Sequence, residues 1–212
     1  MKEGYWFFGA LVLFQIGKLS YRYYQKKRSD RAEEEIADFH YDRYLELRDE
    51  TFVLKPEDLG IEVPNDKETA FALIMEIHAV SVLQAVAAFA DGTVWAFNTK
   101  NARKTIGDNN ALDLSAAAIE AVAAGQYHFA RMRRGDADTL LPGHIKFHIL
   151  TNHDIYSVGG PFTEMLHESS EWSELVEKSF KVAEGLNNVA KNRPNKRVYT
   201  PITVKRSKPA NF

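Results

Sequence analysis

The hydrophobic rhythm of the chain changes several times along its length. Residues 5–16 read YWFFGALVLFQI, an apolar run with Gln15 as its only polar member. Over residues 30–48 the apolar positions thin to Ile36, Phe39, Tyr44 and Leu47, at roughly helical spacing. Ser29 or Asp30 can cap that stretch, and Glu33, Glu34 and Glu35 suit its first turns. The pattern predicts a helix that leans one side on the rest of the protein as a solvated stalk, the other use of such a stripe being to pair with a partner or a second copy. Residues 55–68, KPEDLGIEVPNDKE, hold two prolines and a glycine and predict a loop or short helical turn before the folded domain.

Phe71 to His78, FALIMEIH, has the near-continuous apolar character of a strand, with Glu76 and His78 two apart and hence on one face. Ala, Leu and Met also suit a helix, so the run by itself leaves residues 69–80 open between the two. Val82 to Phe89 follows, and Thr93 to Asn98 returns after Asp91-Gly92, a hairpin signal of the type I′ kind, in which both central residues take positive φ. A polar stretch then leads to a helix from Asn109 or Asn110 to about Met132. Its alanines at 116, 117, 118, 121, 123 and 124 permit close approach to a sheet, with Leu114, Ile119, Val122 and Phe129 filling the contact. Arg131, Arg133 and Arg134 before Gly135 suit its C-terminal end.

Residues 145–150 predict a strand, Asn152-His153-Asp154 a turn, and residues 155–158 the returning strand, stopped by Gly159-Gly160-Pro161. A last helix begins near Glu168–Glu171, with Leu175, Val182, Leu186 and Val189 as its core stripe and Trp172 and Phe180 beside it. The expected fold is therefore α+β: an antiparallel sheet of about five strands with two main helices, plus an N-terminal helix for a membrane or a partner. The organisation reads as a hydrophobic anchor with a basic flank (1–28), a helical stalk and linker (29–65), the α+β domain (66–190) and a basic tail (191–212). The tail carries Arg193, Lys196, Arg197, Lys205, Arg206 and Lys208 without an acidic residue, and Pro201 opposes an edge strand over Val198–Val204.

Composition changes this picture at three points. With 212 residues, 45% hydrophobic and 26% charged, the chain can bury a core and carry an appendage. A formal charge of −2 points to no polyanionic partner. The absence of cysteine excludes disulfides, thiolate nucleophiles and Cys-ligated metal sites.

The N-terminal run has three readings. As an anchor, Tyr5, Trp6, Phe7, Phe8, Leu11, Val12, Leu13, Phe14 and Ile16 fall short of the ~20 residues a span needs, unless Lys18 snorkels. Tyr21, Tyr23 and Tyr24 then sit as an aromatic belt, and Lys26, Lys27 and Arg28 place the domain in the cytoplasm by the positive-inside rule. As a cleaved signal peptide it lacks a positively biased start and a small-residue cleavage site. The third reading is a helix buried in partner protein or lying in the membrane interface. The anchor reading is the one the flanks favour, with anionic lipid as the target of the basic segments.

Candidate chemistry centres on histidine. His144 and His148 lie on a predicted strand, where four residues span ~13 Å, too far for one metal ion. Glu76 and His78 share a face that His148 or Asp154 reaches if the strands pair suitably, a polar patch in which a carboxylate could tune a histidine. No nucleophile elbow, phosphate loop or dinucleotide fingerprint is present, and Thr105-Ile106-Gly107-Asp108-Asn109 before a helix is explained by capping. No cofactor or metal is expected. The basic tail has no accompanying nucleic-acid module.

Met75-Glu76, the segment Ala87-Ala88-Phe89-Ala90-Asp91-Gly92-Thr93, Ile106-Gly107 and Leu141-Pro142-Gly143-His144-Ile145-Lys146-Phe147 together resemble a group of uncharacterised bacterial proteins, over about residues 70–188. The chain departs from the group around Ile106-Gly107, where Lys, Thr, Asp and Asn replace glycines. The resemblance implies the domain boundary and no activity. The element order is similar, in topology alone, to roadblock and longin-type scaffold domains. The functional expectation is a membrane-anchored, non-enzymatic subunit or adaptor whose cytoplasmic domain binds protein partners, either subunits of a membrane complex or itself. The alternative is an anchored small-molecule sensor or enzyme using the Glu/His patch.

Overall fold

A computed structural model describes residues 33–79, 81–100, 104–107, 111–135 and 140–192. The anchor segment, its basic flank and the tail beyond Asn192 lie outside them, as do Asn109 and Asn110. Among the described residues no helix is long and apolar enough to cross a membrane.

The chain order is α1 (33–52), a 3-10 turn (Pro56–Leu59), β1 (Ala70–Ala79), β2 (Val82–Phe89), β3 (Val94–Asn98), β4 (Thr105–Gly107), α2 (Leu112–His128), β5 (Arg133–Arg134), β6 (His144–Thr151), β7 (Ile155–Pro161), α3 (Phe162–Met165) and α4 (Ser173–Asn192). The strands form one antiparallel sheet in the order β4-β3-β2-β1-β6-β7-β5. The α+β class and antiparallel sheet match expectation, but the sheet has seven strands rather than five. The two additions, β4 and β5, are only three and two residues long, too short for a period-2 pattern to reveal them. The run 159–161 also extends β7 rather than stopping it. Gly159 sits where a Cβ would come within 2.9 Å of the Ile145 carbonyl oxygen and of Lys146 Cγ.

The β2–β3 hairpin forms around Asp91-Gly92, with a different turn from the one expected. Gly92 N–H donates to the Phe89 carbonyl and Phe89 N–H to the Thr93 carbonyl, while Gly92 takes φ 86°. This is a type I turn closed by a glycine bulge. Asp91 holds it by accepting from Thr93 N–H and from the Thr93 hydroxyl.

Pleating sorts the sheet's side chains into two cores. Leu73, Met75, Val86, Val94, Ile145, Phe147 and Ile149 face α2 and α4. Small residues bring α2 down onto this face: Ala117, Ala118, Ala121 and Ala124 are buried, and a Cβ on Gly125 would lie 2.7 Å from Ile149 Cδ1. Ala72, Ile74, Ala85, Ala87, Phe89, Trp95, Phe97 and Leu150 face the other way, under α1. Ala72, Ala85 and Ala87 are wholly buried and form a shallow floor for Tyr44 and Leu47, which are 1% and 3% exposed.

The boundary expected at residue 66 thus falls inside the packed unit, because the second half of α1 covers one sheet face. The first half is different: residues 33–39 are exposed on every side of the helix. Past them the helix buries Tyr44, Leu47 and Thr51 on one side and leaves Tyr41, Glu46 and Glu50 exposed on the others. Ile119, expected to fill the sheet contact, is instead 47% exposed, and Phe180 is 40% exposed.

Candidate functional site

Glu76 stands on the α1-facing side of β1, in line with Ala72 and Ile74, and is 2% exposed. A carboxylate in such a place must be paired and hydrogen-bonded. Four donors meet it. Tyr44 donates its hydroxyl to Oε1 at 2.6 Å, and Arg48 donates Nε to Oε1 at 2.9 Å and Nη2 to Oε2 at 3.2 Å. His148 Nε2 lies 2.7 Å from Oε2, and since the carboxylate only accepts, the ring donates there. On the far side of the ring, Nδ1 is 2.8 Å from Ser157 Oγ.

Each element contributes for a local reason. Tyr44 and Arg48 are one turn apart on α1, so both reach down from the same side. Sheet register does the rest. Ile74 pairs with His148 on β6, which puts the imidazole one step from Glu76, and His148 pairs with Ser157 on β7. Glu76 itself pairs with Lys146, 8% exposed, on the same face. Phe52, at the end of α1, closes the cluster. Its ring meets His148 edge-on at 4.7 Å, and the Arg48 guanidinium lies 4.5 Å above it.

Burial alone would raise the Glu76 carboxyl, but the hydrogen bonds and charges of His148 and Arg48 reverse this and hold it at about 2. Burial first, and then the adjacent carboxylate, push the Tyr44 phenol up. Glu76 therefore stays ionised in the fold while an unfolded chain protonates it near 4.5. A depressed carboxylate contributes stability that is fully present above pH 4.5 and lost as pH falls from there toward 2. Urea midpoints measured between pH 7 and 3 are expected to fall across that window, and Glu76→Gln is expected to flatten the slope. Equal slopes for the two proteins would refute the assignment.

Serine, histidine and glutamate in mutual hydrogen-bond contact are the residue types of a nucleophile, base and orienting acid. Here, however, the carboxylate takes Nε2 and the serine Nδ1, the reverse of that template. Ser157, His148 and Glu76 are also 6%, 0% and 2% exposed. Beneath α1 the arrangement fastens a helix to a sheet.

Of the residues singled out in the sequence, Glu76 and His148 meet. His78 lies one pleat further along β1, half-buried, and donates Nδ1–H to the Leu140 carbonyl at 2.8 Å. Asp154 sits in the β6–β7 turn, where it pairs with Arg134. His144 donates Nδ1–H to the Pro142 carbonyl, and no group of three potential metal ligands occurs among the described residues. The expected polar patch is thus a buried Glu76–His148 pair, with half-buried His78 and Asp154 apart from it. Sequence reasoning missed Tyr44, Arg48 and Ser157. The last was accessible, since a tight turn at residues 152–154 sets the register that faces His148 with Ser157.

One pleat along from the cluster is an open groove of about 470 Å³. Leu150 and Ile155, the pair next to His148 and Ser157, line it together with Phe52, Leu54, Lys55 and His153. Phe52 touches both the groove and His148, so it forms the partition between them. The chain matches no family model, no curated protein and no solved structure.

Proposed function

We propose that the protein is a membrane-anchored, non-enzymatic subunit or adaptor whose folded unit binds partner proteins within a larger assembly. The observation that carries the binding role is the outward side of α2. The solvent side of that helix carries only Asp113 and Glu120 as charged residues and is otherwise apolar. Its inner side lies on the sheet and α4, but Leu112, Ala116, Ile119, Ala123 and Tyr127 form an exposed stripe, with Leu112 80% and Tyr127 75% exposed. A contiguous apolar face of this kind marks a docking surface.

The anchor rests on the sequence of residues 1–28, with the basic flank directing the domain to the cytoplasm. The exposed first turns of α1 support it, because they let the packed unit stand off from what precedes them. The closed, fully satisfied Glu76 cluster supports a structural rather than catalytic use of its residues. A sensor or enzyme working through that patch would need access that α1 and Phe52 block.

Cells expressing the chain with and without residues 1–28 test the proposal. The full chain is expected in the membrane fraction, intact to protease added outside cells. Extracted in mild detergent, it is expected to bring defined partner subunits or further copies with it. Equal solubility of both forms would remove the anchor, external digestion would reverse the orientation, and recovery of a lone 24.1 kDa chain would overturn the adaptor reading.

A further inference from the structure

We infer that the exposed stripe of α2 docks on the same stripe of a second copy, antiparallel, about a two-fold axis next to Ile119. This rests on reading the outward face of α2 as a docking surface and names its occupant. Leu112, Ala116, Ile119, Ala123 and Tyr127 recur at steps of four, three, four and four, so they share one side of the helix. Their sizes run large, small, large, small, large.

A two-fold interface brings a surface onto itself and requires self-complementarity. With the axis beside Ile119, Leu112 opposes Tyr127 of the second copy, Ala116 opposes Ala123, and the two Ile119 side chains meet at the centre. Alanine facing alanine lets the backbones approach, while each end packs a leucine against a tyrosine. A parallel pairing would set Tyr127 on Tyr127 and Leu112 on Leu112, which gives the helices unequal spacing at their two ends.

Charge favours the same direction. Asp113 occupies the first turn of α2, and Arg131 follows its last turn. Arg131 is paired with Glu171 of its own chain at 3.7 Å, and the antiparallel arrangement sets Asp113 nearer the Arg131 end of the other copy than a parallel one does and aligns the helix dipoles favourably. Glu120 lies beside the axis, but Lys178 and Lys181 of its own chain hold it, both at 3.1 Å. Two bare carboxylates therefore do not face each other. The stripe spans roughly 24 Å of helix and so covers less than the ~800 Å² per partner of a stable free dimer. Association is accordingly weak for dilute chains and strong where copies are concentrated on one membrane.

The chain has no cysteine, so one introduced thiol reports one position. The test uses the full chain in membranes, under mild oxidation. Ile119→Cys should give a cross-linked dimer at least about ten-fold above Leu141→Cys, an exposed apolar site elsewhere on the protein. Ala116→Cys and Ala123→Cys should each cross-link poorly alone, because their own copies are ~10 Å apart along the axis. Mixed together, the two should cross-link with each other. Unchanged thermal unfolding of each variant shows that the fold is kept. Efficient self-cross-linking at all three positions would overturn the antiparallel register. Cross-linking no higher than that of Leu141→Cys would overturn the second copy as occupant. In that event Ile119→Glu separates the two ideas: release of another protein that otherwise co-purifies keeps the docking surface, and an unaltered assembly removes both.

Discussion

Glu76→Ala is expected to destabilise the fold by about 3–5 kcal/mol at neutral pH. The change removes the one acceptor onto which Tyr44, Arg48 and His148 converge. Arg48 of α1 and His148 of β6 would then lose the carboxylate that joins the helix to the sheet. Domains of this size are stable by only about 5–15 kcal/mol, so the loss is a large fraction of the whole. Tyr44→Phe gives the comparison, since it deletes one hydroxyl and leaves the carboxylate with its other donors. Its cost should be about 1.5–3 kcal/mol. Urea unfolding of both variants at pH 7 decides the matter. A Glu76→Ala protein no less stable than Tyr44→Phe would mean that the cluster does not hold α1 in place.

The second large effect distinguishes the two halves of α1. Leu47 and Ile36 are three turns apart and lie within about 20° of each other around the helix. Leu47 is 3% exposed on the alanine floor of the sheet, and Ile36 is 54% exposed beyond it. Leu47→Ala is expected to cost about 2–5 kcal/mol through lost burial and the cavity left behind. Ile36→Ala should stay within about 0.5 kcal/mol. At roughly 2–4 °C per kcal/mol, thermal unfolding resolves the two easily. Equal small effects would restore the whole helix to the role of a stalk outside the domain.

Both expectations concern a helix whose existence was readable and whose place was not. The spacing of Ile36, Phe39, Tyr44 and Leu47 announces a helical face, but local periodicity is the same whether that face meets a sheet, a second helix or nothing. What distinguishes Leu47 from Ile36 is only the reach of the sheet beneath, whose first strand begins at Ala70. The strands β2, β3, β6 and β7 were legible because turn residues bound their apolar runs, and Asp91-Gly92 located its hairpin, while the run of β1 suited a helix as well. The turn type was not legible, because both forms accept Asp-Gly. It is the hydrogen-bond pattern that selects the glycine bulge.

Readable along the chain alone were the α+β class, the antiparallel hairpins, the two helices that follow them and the absence of cysteine chemistry. These follow from side-chain period, turn chemistry and composition, all of which act over a few residues. The packing of distant segments sets Glu76 apart from His78 and joins it with Tyr44, Arg48, His148 and Ser157. That outcome depends on pairing register between strands 72 residues apart in the chain and on where α1 lies across them. That packing also decided that Ile119 faces outward while Ala118 and Val122 face the sheet. On a helix whose apolar residues spread this widely round its axis, periodicity does not assign Ile119 to one side, and the choice falls to the surfaces that happen to meet.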